Sequence, residues 1–259
     1  MKQLIKKVTP EFILKFYRKN RKNVKLDSVD ENNVECPICN SKFKEFGTFG
    51  IVPRRNARCQ GCGSLERHRL LWKYLNAKTD LFANKNNLQL LHFAPEKVFY
   101  TIFSSGKNIQ YYPCDLNPDI YTYEEDNKVQ KVDITDIPFK ENYFDAILCN
   151  HVLEHIPDDA LAMSELYRVL KKGGWAILQV PIDYSREYTY EDFSITTPEG
   201  REKAFGQDDH VRWYGRDYKD RLARAGFTVM VDEYVKSFTE EEQFRYGFMK
   251  DELIYYCKK

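Results

Sequence analysis

Residues 143–182, YFDAILCNHVLEHIPDDALAMSELYRVLKKGGWAILQVPI, constrain this chain more than any other stretch. Residues 146–149 are a short apolar run of strand type. From Asp158 the apolar positions Leu161, Leu166, Val169 and Leu170 fall on one helical face, and Gly173-Gly174 reads as a stop before a second apolar run at 175–180. The order is strand, loop, helix, strand. A crossover of this length joins neighbouring parallel strands, so the stretch belongs in an α/β sheet with helices on its faces. Functional groups are then expected at the carboxyl ends of the strands.

The residues FDAILCNHVLEHIPD followed by ELYRVLKKGGWAILQVP resemble the fourth and fifth strands of class I S-adenosylmethionine-dependent methyltransferases of the broad small-molecule type. Weaker echoes extend over residues 88–259, the scale of one α/β domain. The resemblance implies a Rossmann-like seven-stranded sheet, mostly parallel with its last strand antiparallel. It also implies where the cofactor sits. Residues 88–96, LQLLHFAPE, stand where the first strand should end in a glycine-rich loop, yet hold no glycine. Such glycines admit a pyrophosphate to the backbone. S-adenosylmethionine has no phosphate, so Ala94-Pro95 can make the turn, and Phe93, Ala94, Pro95 and Glu96 are expected beside the methionine portion. By the same resemblance Asp115, ending QYYPCD, takes the two ribose hydroxyls with Leu116 next to it. Asp133 takes the adenine amino group, Ile134 presses on the ring, and Asn150 and His151 line the methionine end.

His151-Val-Leu-Glu154-His155 also spells H-x-x-E-H, a metallopeptidase zinc motif that requires a sustained helix. Pro157 follows at once and an apolar strand precedes, so the motif lacks that context. The methyltransferase resemblance implies instead that Glu154 and His155 orient the loop, touch the acceptor or bind a divalent ion. Residues 182–215 are long for a connection and suggest a lid or acceptor insertion. Within it FGQDDHVRWYG crowds Asp208, Asp209, His210, Arg212 and Tyr214 together. His210, beside Asp209, is the expected base if the acceptor is a hydroxyl, and His155 is the alternative. A salt-linked structural loop accounts for the same crowding.

Upstream, Cys36-Pro-Ile-Cys39 and Cys59-Gln-Gly-Cys62 are two CxxC pairs with nineteen residues between them. Two tight turns, each aiming two thiolates at one ion, are the pattern for tetrahedral zinc, and four thiolates leave no open position, so the metal is structural. A zinc-ribbon-like module is expected over 34–66, with His68 as an extra ligand or an ordinary helix-face residue and Ser64 capping the helix that follows. The methyltransferase domain is expected over 67–259. Residues 1–33 form a basic amphipathic segment: 1–25 hold nine Lys/Arg against Glu11 alone, leaving 31 basic and 38 acidic residues of the chain's 40 and 39 for the rest. Such a helix can touch an anionic membrane surface peripherally or pack on its own domain. Neither a secretory signal nor an apolar run of spanning length is read, and seven cysteines in this arrangement suit a reducing compartment, so a cytoplasmic location is expected.

The segments CPxC…CxxCGSLERHR, LLHFAPE and FGQ-DHVR-YG together resemble bacterial methyltransferases associated with surface-polysaccharide genes. That resemblance implies a small-molecule acceptor, a sugar or its nucleotide-linked form, methylated on oxygen or nitrogen. Two alternatives stay open. A zinc-module RNA methyltransferase would use the basic residues 1–25 with Arg54, Arg55 and Arg58 on phosphates, although a net charge of +1 gives no global field for nucleic acid. A non-catalytic cofactor-fold binding protein would have lost the cofactor with its glycines.

Overall fold

The computed structural model describes residues 34–50, 52–83, 87–123 and 128–259. The basic N-terminal segment expected over 1–33 lies outside the described residues. The chain divides into two units: one holds the described residues of Met1–Asn84 together with Glu233–Leu253, the other Lys85–Asp232 together with Ile254–Lys259.

In the first unit two CxxC turns share one geometry. The Cys36 carbonyl accepts from Asn40 N at 2.8 Å and the Cys59 carbonyl from Gly63 N at 2.8 Å. Asn40 (φ 58°) and Gly63 (φ 75°) both take the left-handed conformation that closes such turns. Strand β1 (Val34–Glu35) pairs antiparallel with β2 (Lys42–Phe43), and β3 (Gly47–Phe49) with β4 (Arg54–Arg58). Helix α1 (Glu66–Lys78) follows. Ser64, expected to cap it, turns to the sulfurs of Cys36 and Cys62, and the Leu65 N–H is met by His68 Nδ1 at 3.2 Å.

The domain boundary therefore falls elsewhere than the sequence suggests, because α1 and Glu233–Leu253 fold with the cysteine turns. Arg69 of α1 is fully buried. It donates to the carbonyls of Ala57 and Ser64 at 2.8 and 3.0 Å and to those of Tyr246 and Gly247 at 2.6 and 2.8 Å, with Phe46 4.0 Å beneath its guanidinium. A buried cation is costly unless its donors are satisfied, and Arg69 meets that condition only when both segments are in place. Tyr74 and Tyr234 add an edge-on ring pair at 5.2 Å. The inserted helix Glu240–Tyr246 carries a capping box, Thr239 with Glu242, that sequence reading passed over.

In the second unit the strands are β5 (Leu88–Phe93), β6 (Ile109–Asp115), β7 (Gln130–Lys131), β8 (Phe144–Asn150) and β9 (Leu170–Gln179). Helix α2 (Lys97–Ser104) follows β5, and α3 (Asp159–Val169) joins β8 to β9. A pair, β10 (Tyr190–Glu191) with β11 (Arg212–Trp213), flanks α4 (Pro198–Phe205), then α5 (Tyr218–Arg224) leads to β12 (Thr228–Asp232) and β13 (Ile254–Lys258). The sheet order is β12-β13-β9-β8-β5-β6-β7, with β13 antiparallel to both neighbours and β9 through β7 parallel. Leu90, Leu91, Ile147, Leu148, Ile177 and Leu178 are all fully buried, as central strands covered on both faces require. Each such side chain contributes about 1.5–3 kcal/mol.

Two local expectations are corrected. Leu161 points to solvent, and α3 buries Ala162, Met163, Leu166 and Val169 instead. Gly173-Gly174 does not stop a helix: it lies within β9, where a Cβ on Gly174 would sit 2.8 Å from the Asp145 carbonyl. Within the segment 182–215, Thr197 caps α4 and Gly206, at φ 85°, closes it.

Candidate functional site

The four cysteine sulfurs converge. Cys36 Sγ lies 3.6 Å from Cys62 Sγ and Cys39 Sγ lies 3.7 Å from Cys59 Sγ. These distances are far too long for disulfides. They match the edge of about 3.8 Å that a tetrahedral ion with bonds of about 2.3 Å imposes. His68, engaged at the start of α1, is not among the clustered ligands.

In the second unit the chain runs β5, β6, β7 to one side and returns with β8 on the other flank of β5, so the switch point lies between β5 and β8. Ala94 stands there at φ 47°, the left-handed conformation a glycine would give, and its N–H donates to the Cys114 carbonyl at 3.0 Å. The backbone thus makes the tight turn without glycine, and Glu96 begins α2 directly. Glu96 is held from two sides: Oε2 lies 2.9 Å from Nε2 of the fully buried His92, and Oε1 accepts from Asn150 Nδ2 at 3.2 Å. His92 Nδ1 meets the Tyr111 hydroxyl at 2.9 Å. This clamp across the switch point includes His92 and Tyr111, which sequence reading missed; a histidine inside an apolar strand was the available signal.

Asp115 ends β6. Its Oδ1 accepts from Asn117 N at 2.7 Å and its Oδ2 from the Tyr121 hydroxyl at 2.6 Å. Burial and this carboxylate together push the Tyr121 phenol's pKa up, so it stays a donor and fixes the carboxylate plane. Each carboxylate oxygen keeps a further lone pair for a ligand. Leu116 is half exposed at the strand end, whereas Ile134 is buried in the protein. Asp133 lies beyond the short β7; its Oδ1 accepts from the N–H and hydroxyl of Thr135 at 2.8 and 2.7 Å, which holds its pKa low.

After β8, His151 takes φ 55° and the 3-10 turn Leu153–His155 follows. No sustained helix carries H-x-x-E-H, so the peptidase geometry is absent from these residues. The fold instead brings His210 to Glu154 and His155: ligand atoms of the three lie within 4.8 Å of one another. His155 and His210 meet edge-on with centroids 4.7 Å apart. Glu154 is 1% and His210 2% exposed. Burial lowers the His210 pKa, keeping the ring neutral at pH 7. Asp209 sits outside this cluster, with Oδ2 3.2 Å from His155 Nδ1.

Arg212, the other half of the expected loop chemistry, is structural. Fully buried, it donates to the carbonyls of Leu153, Ile156 and Pro157 and to Glu191 Oε2 at 2.9 Å. Val211 N donates to the Glu154 carbonyl at 3.0 Å. Tyr214 and Arg221 bond the buried Asp159 at 2.6 and 2.7 Å. The loop after β8 and the segment before α5 are thereby locked together, which is what places His210 against Glu154.

The sheet order and single antiparallel strand, with strand-end carboxylates around a β5/β8 switch point, define the class I S-adenosylmethionine-dependent methyltransferase fold. Residues 97–178 match the family model described as a methyltransferase domain. The chain is similar to demethylmenaquinone methyltransferases of Streptomyces avermitilis, 34% identical over 70 residues, covering 26% of this chain and 30% of that protein, and of Staphylococcus carnosus, 44% identical over 45 residues, covering 17% and 19%. The chain thus spans less than a third of the length of these relatives. A solved S-adenosylmethionine-dependent methyltransferase from Mesorhizobium loti superposes with a TM-score of 0.51 at 14% identity, covering 73% of this chain and 98% of that one, a likeness of fold.

The site's residues fit the cofactor. Asn150 is 5% exposed and, among the described residues, its Oδ1 has no hydrogen-bond partner, although its amide nitrogen is fixed on Glu96. A buried acceptor left open is costly, and an ammonium donor at the methionine end would satisfy it. Among the described residues no helix is long and apolar enough to cross a membrane.

Proposed function

We propose that this protein transfers a methyl group from S-adenosylmethionine to a small, hydroxylated, sugar-like acceptor, and that its four cysteines hold a structural zinc ion. The cofactor supplies an electrophilic sulfonium methyl when bound. The chain's residues do the rest. Asp115 receives the two ribose hydroxyls, Asp133 the adenine amino group, Leu116 covers the ring, and Asn150 with the Glu96 clamp receives the methionine end. The observation that carries this reading is the Asp115 carboxylate, fixed by Tyr121 at the end of β6 in the same sheet that presents Asn150.

On the acceptor side, His151, His155 and Asp209 are partly exposed around the buried Glu154, with side-chain exposures of 31%, 30% and 63%. Such a rim of donors and acceptors suits a polyhydroxylated molecule better than an apolar one. Deprotonation of the acceptor hydroxyl belongs at the Glu154–His155–His210 cluster, and catalysis is chiefly alignment of the oxygen with the methyl carbon.

Asp115→Ala tests the cofactor reading. It removes charge-assisted hydrogen bonds worth about 1.5–3 kcal/mol each, so affinity for S-adenosylhomocysteine should fall at least about tenfold with the melting temperature little changed. Unchanged affinity in titration calorimetry would remove Asp115 from the site.

A further inference from the structure

We propose that Glu154, His155 and His210 hold a divalent transition-metal ion beside the methyl-transfer site, an inference that rests on the cofactor reading above only for the ion's use and not for its binding. The three side chains come from two separated segments, and their ligand atoms already lie within 4.8 Å of one another. Two imidazole nitrogens and one carboxylate oxygen form a borderline donor set that suits Mn2+, Fe2+, Co2+, Ni2+ or Zn2+ better than Mg2+ or Ca2+, which prefer all-oxygen surroundings.

Among the described residues, two buried atoms in this cluster have no hydrogen-bond partner. They are His210 Nε2, on a residue 2% exposed, and Glu154 Oε2, on a residue 1% exposed. An orphaned nitrogen and an orphaned carboxylate oxygen each carry a desolvation cost, and both belong to the same cluster. A cation between them satisfies both.

The remaining atoms of each side chain are arranged as metal ligands require. His210 Nδ1 faces the Phe205 carbonyl oxygen at 3.1 Å, so it bears the proton and leaves the Nε2 lone pair outward. His155 Nδ1 faces the Asp209 carboxylate at 3.2 Å and the Asp209 carbonyl at 3.4 Å, which selects the same tautomer. Glu154 Oε1 lies 3.4 Å from His151 Nδ1, leaving Oε2 to the cluster. Metal-bound histidines regularly give their second nitrogen to a carboxylate or carbonyl in this way. The charges nearby are these same groups, with Arg212 committed to carbonyls and Glu191.

Three ligands leave coordination positions open. An acceptor hydroxyl entering one of them would lose its proton to bulk water at a lower pH than the free alcohol, because the ion stabilises the oxygen anion. His210 then serves as a ligand, not as the proton acceptor.

The test is direct binding of Mn2+ to the full chain purified with zinc, followed by the loss of the free-ion electron paramagnetic resonance signal. One equivalent should bind, and Glu154→Gln and His210→Ala should each weaken binding at least about tenfold, as loss of a ligand requires. Glu154→Gln keeps the side chain's shape, so it answers even if His210→Ala folds poorly. Co2+ should enter the same site without the sulfur-to-metal absorption that four thiolates give. Absence of Mn2+ and Co2+ binding outside the cysteine site, or binding unchanged in Glu154→Gln, would overturn the inference. S-adenosylhomocysteine titrated in parallel separates the two ideas: a chain that binds it but no Mn2+ loses this inference alone.

Discussion

Cys59→Ser is expected to unfold the cysteine-bearing unit. Its four sulfurs stand 3.6–3.7 Å apart in pairs, and two matched turns with left-handed closing residues hold them there. Around them are short strands of two to five residues and a helix whose Arg69 bonds the Ala57 and Ser64 carbonyls that flank the second turn, so the order of this unit is tied to the cysteine turns. Structural zinc contributes about 10–16 kcal/mol in small zinc modules, so losing one thiolate removes a large part of what holds this unit. Chelation should produce the same loss. Cys257→Ser, in β13, is the control: its thiol is fully buried and its pKa is raised by that burial, and the substitution leaves the four-cysteine cluster alone. Zinc content and near-ultraviolet circular dichroism read the outcome, and a Cys59→Ser protein with normal melting behaviour would refute the structural site.

Arg212→Ala should destabilise the second unit by about 3–5 kcal/mol, the range for breaking a buried charged network. The truncation strips hydrogen bonds from the carbonyls of Leu153, Ile156 and Pro157 and leaves Glu191 to Arg221 alone. Burial would have penalised Arg221's charge, yet its pKa is raised because the bond to Asp159 and the nearby acids outweigh that penalty; Arg221 is already committed and cannot replace Arg212. Arg212→Lys should recover little, since an ammonium cannot reach three carbonyls and a carboxylate in the plane that the guanidinium spans. A melting temperature within about 3 °C of wild type would show that the clip is dispensable, because about 1 kcal/mol moves a unit of this size by roughly 2–4 °C.

Much of this was legible. The apolar runs at 146–149 and 175–180 lie in neighbouring parallel strands because a strand buried on both faces has no polar alternation, and Asp115 is at a strand end because a turn begins there. The two CxxC pairs gave the cysteine cluster, since spacing alone brings sulfurs together when the turns are identical. What escaped was what depends on tertiary position. Nothing local distinguishes Arg69 from a surface arginine of an amphipathic helix, and its four carbonyl partners lie as far as 178 residues away. The helices at 198–205 and 240–246 carried readable caps, Thr197-Pro198 with Gly206 and Thr239 with Glu242, but their high charge masked any apolar face. The density of polar side chains at 205–214 marks the loop but does not separate the group packed on Glu154 from the group that clips the backbone: His210 does the first and Arg212 the second.

The Ala94 turn shows the same limit. A glycine-less loop reads as a departure from the family pattern, and only the backbone shows that Ala94 accepts φ 47° itself. The strain of a left-handed alanine, on the order of 1 kcal/mol, is carried where the switch point needs a tight turn.

The measurement that bears most directly on the account is calorimetric titration of the purified full chain with S-adenosylhomocysteine. One equivalent should bind per chain, competed by S-adenosylmethionine, since the Tyr121-fixed Asp115 carboxylate and Asn150 stand at strand ends in the sheet that carries the Ala94 turn. Absence of binding by a folded, zinc-loaded chain would contradict it, and would make this methyltransferase sheet a scaffold for something other than methyl transfer.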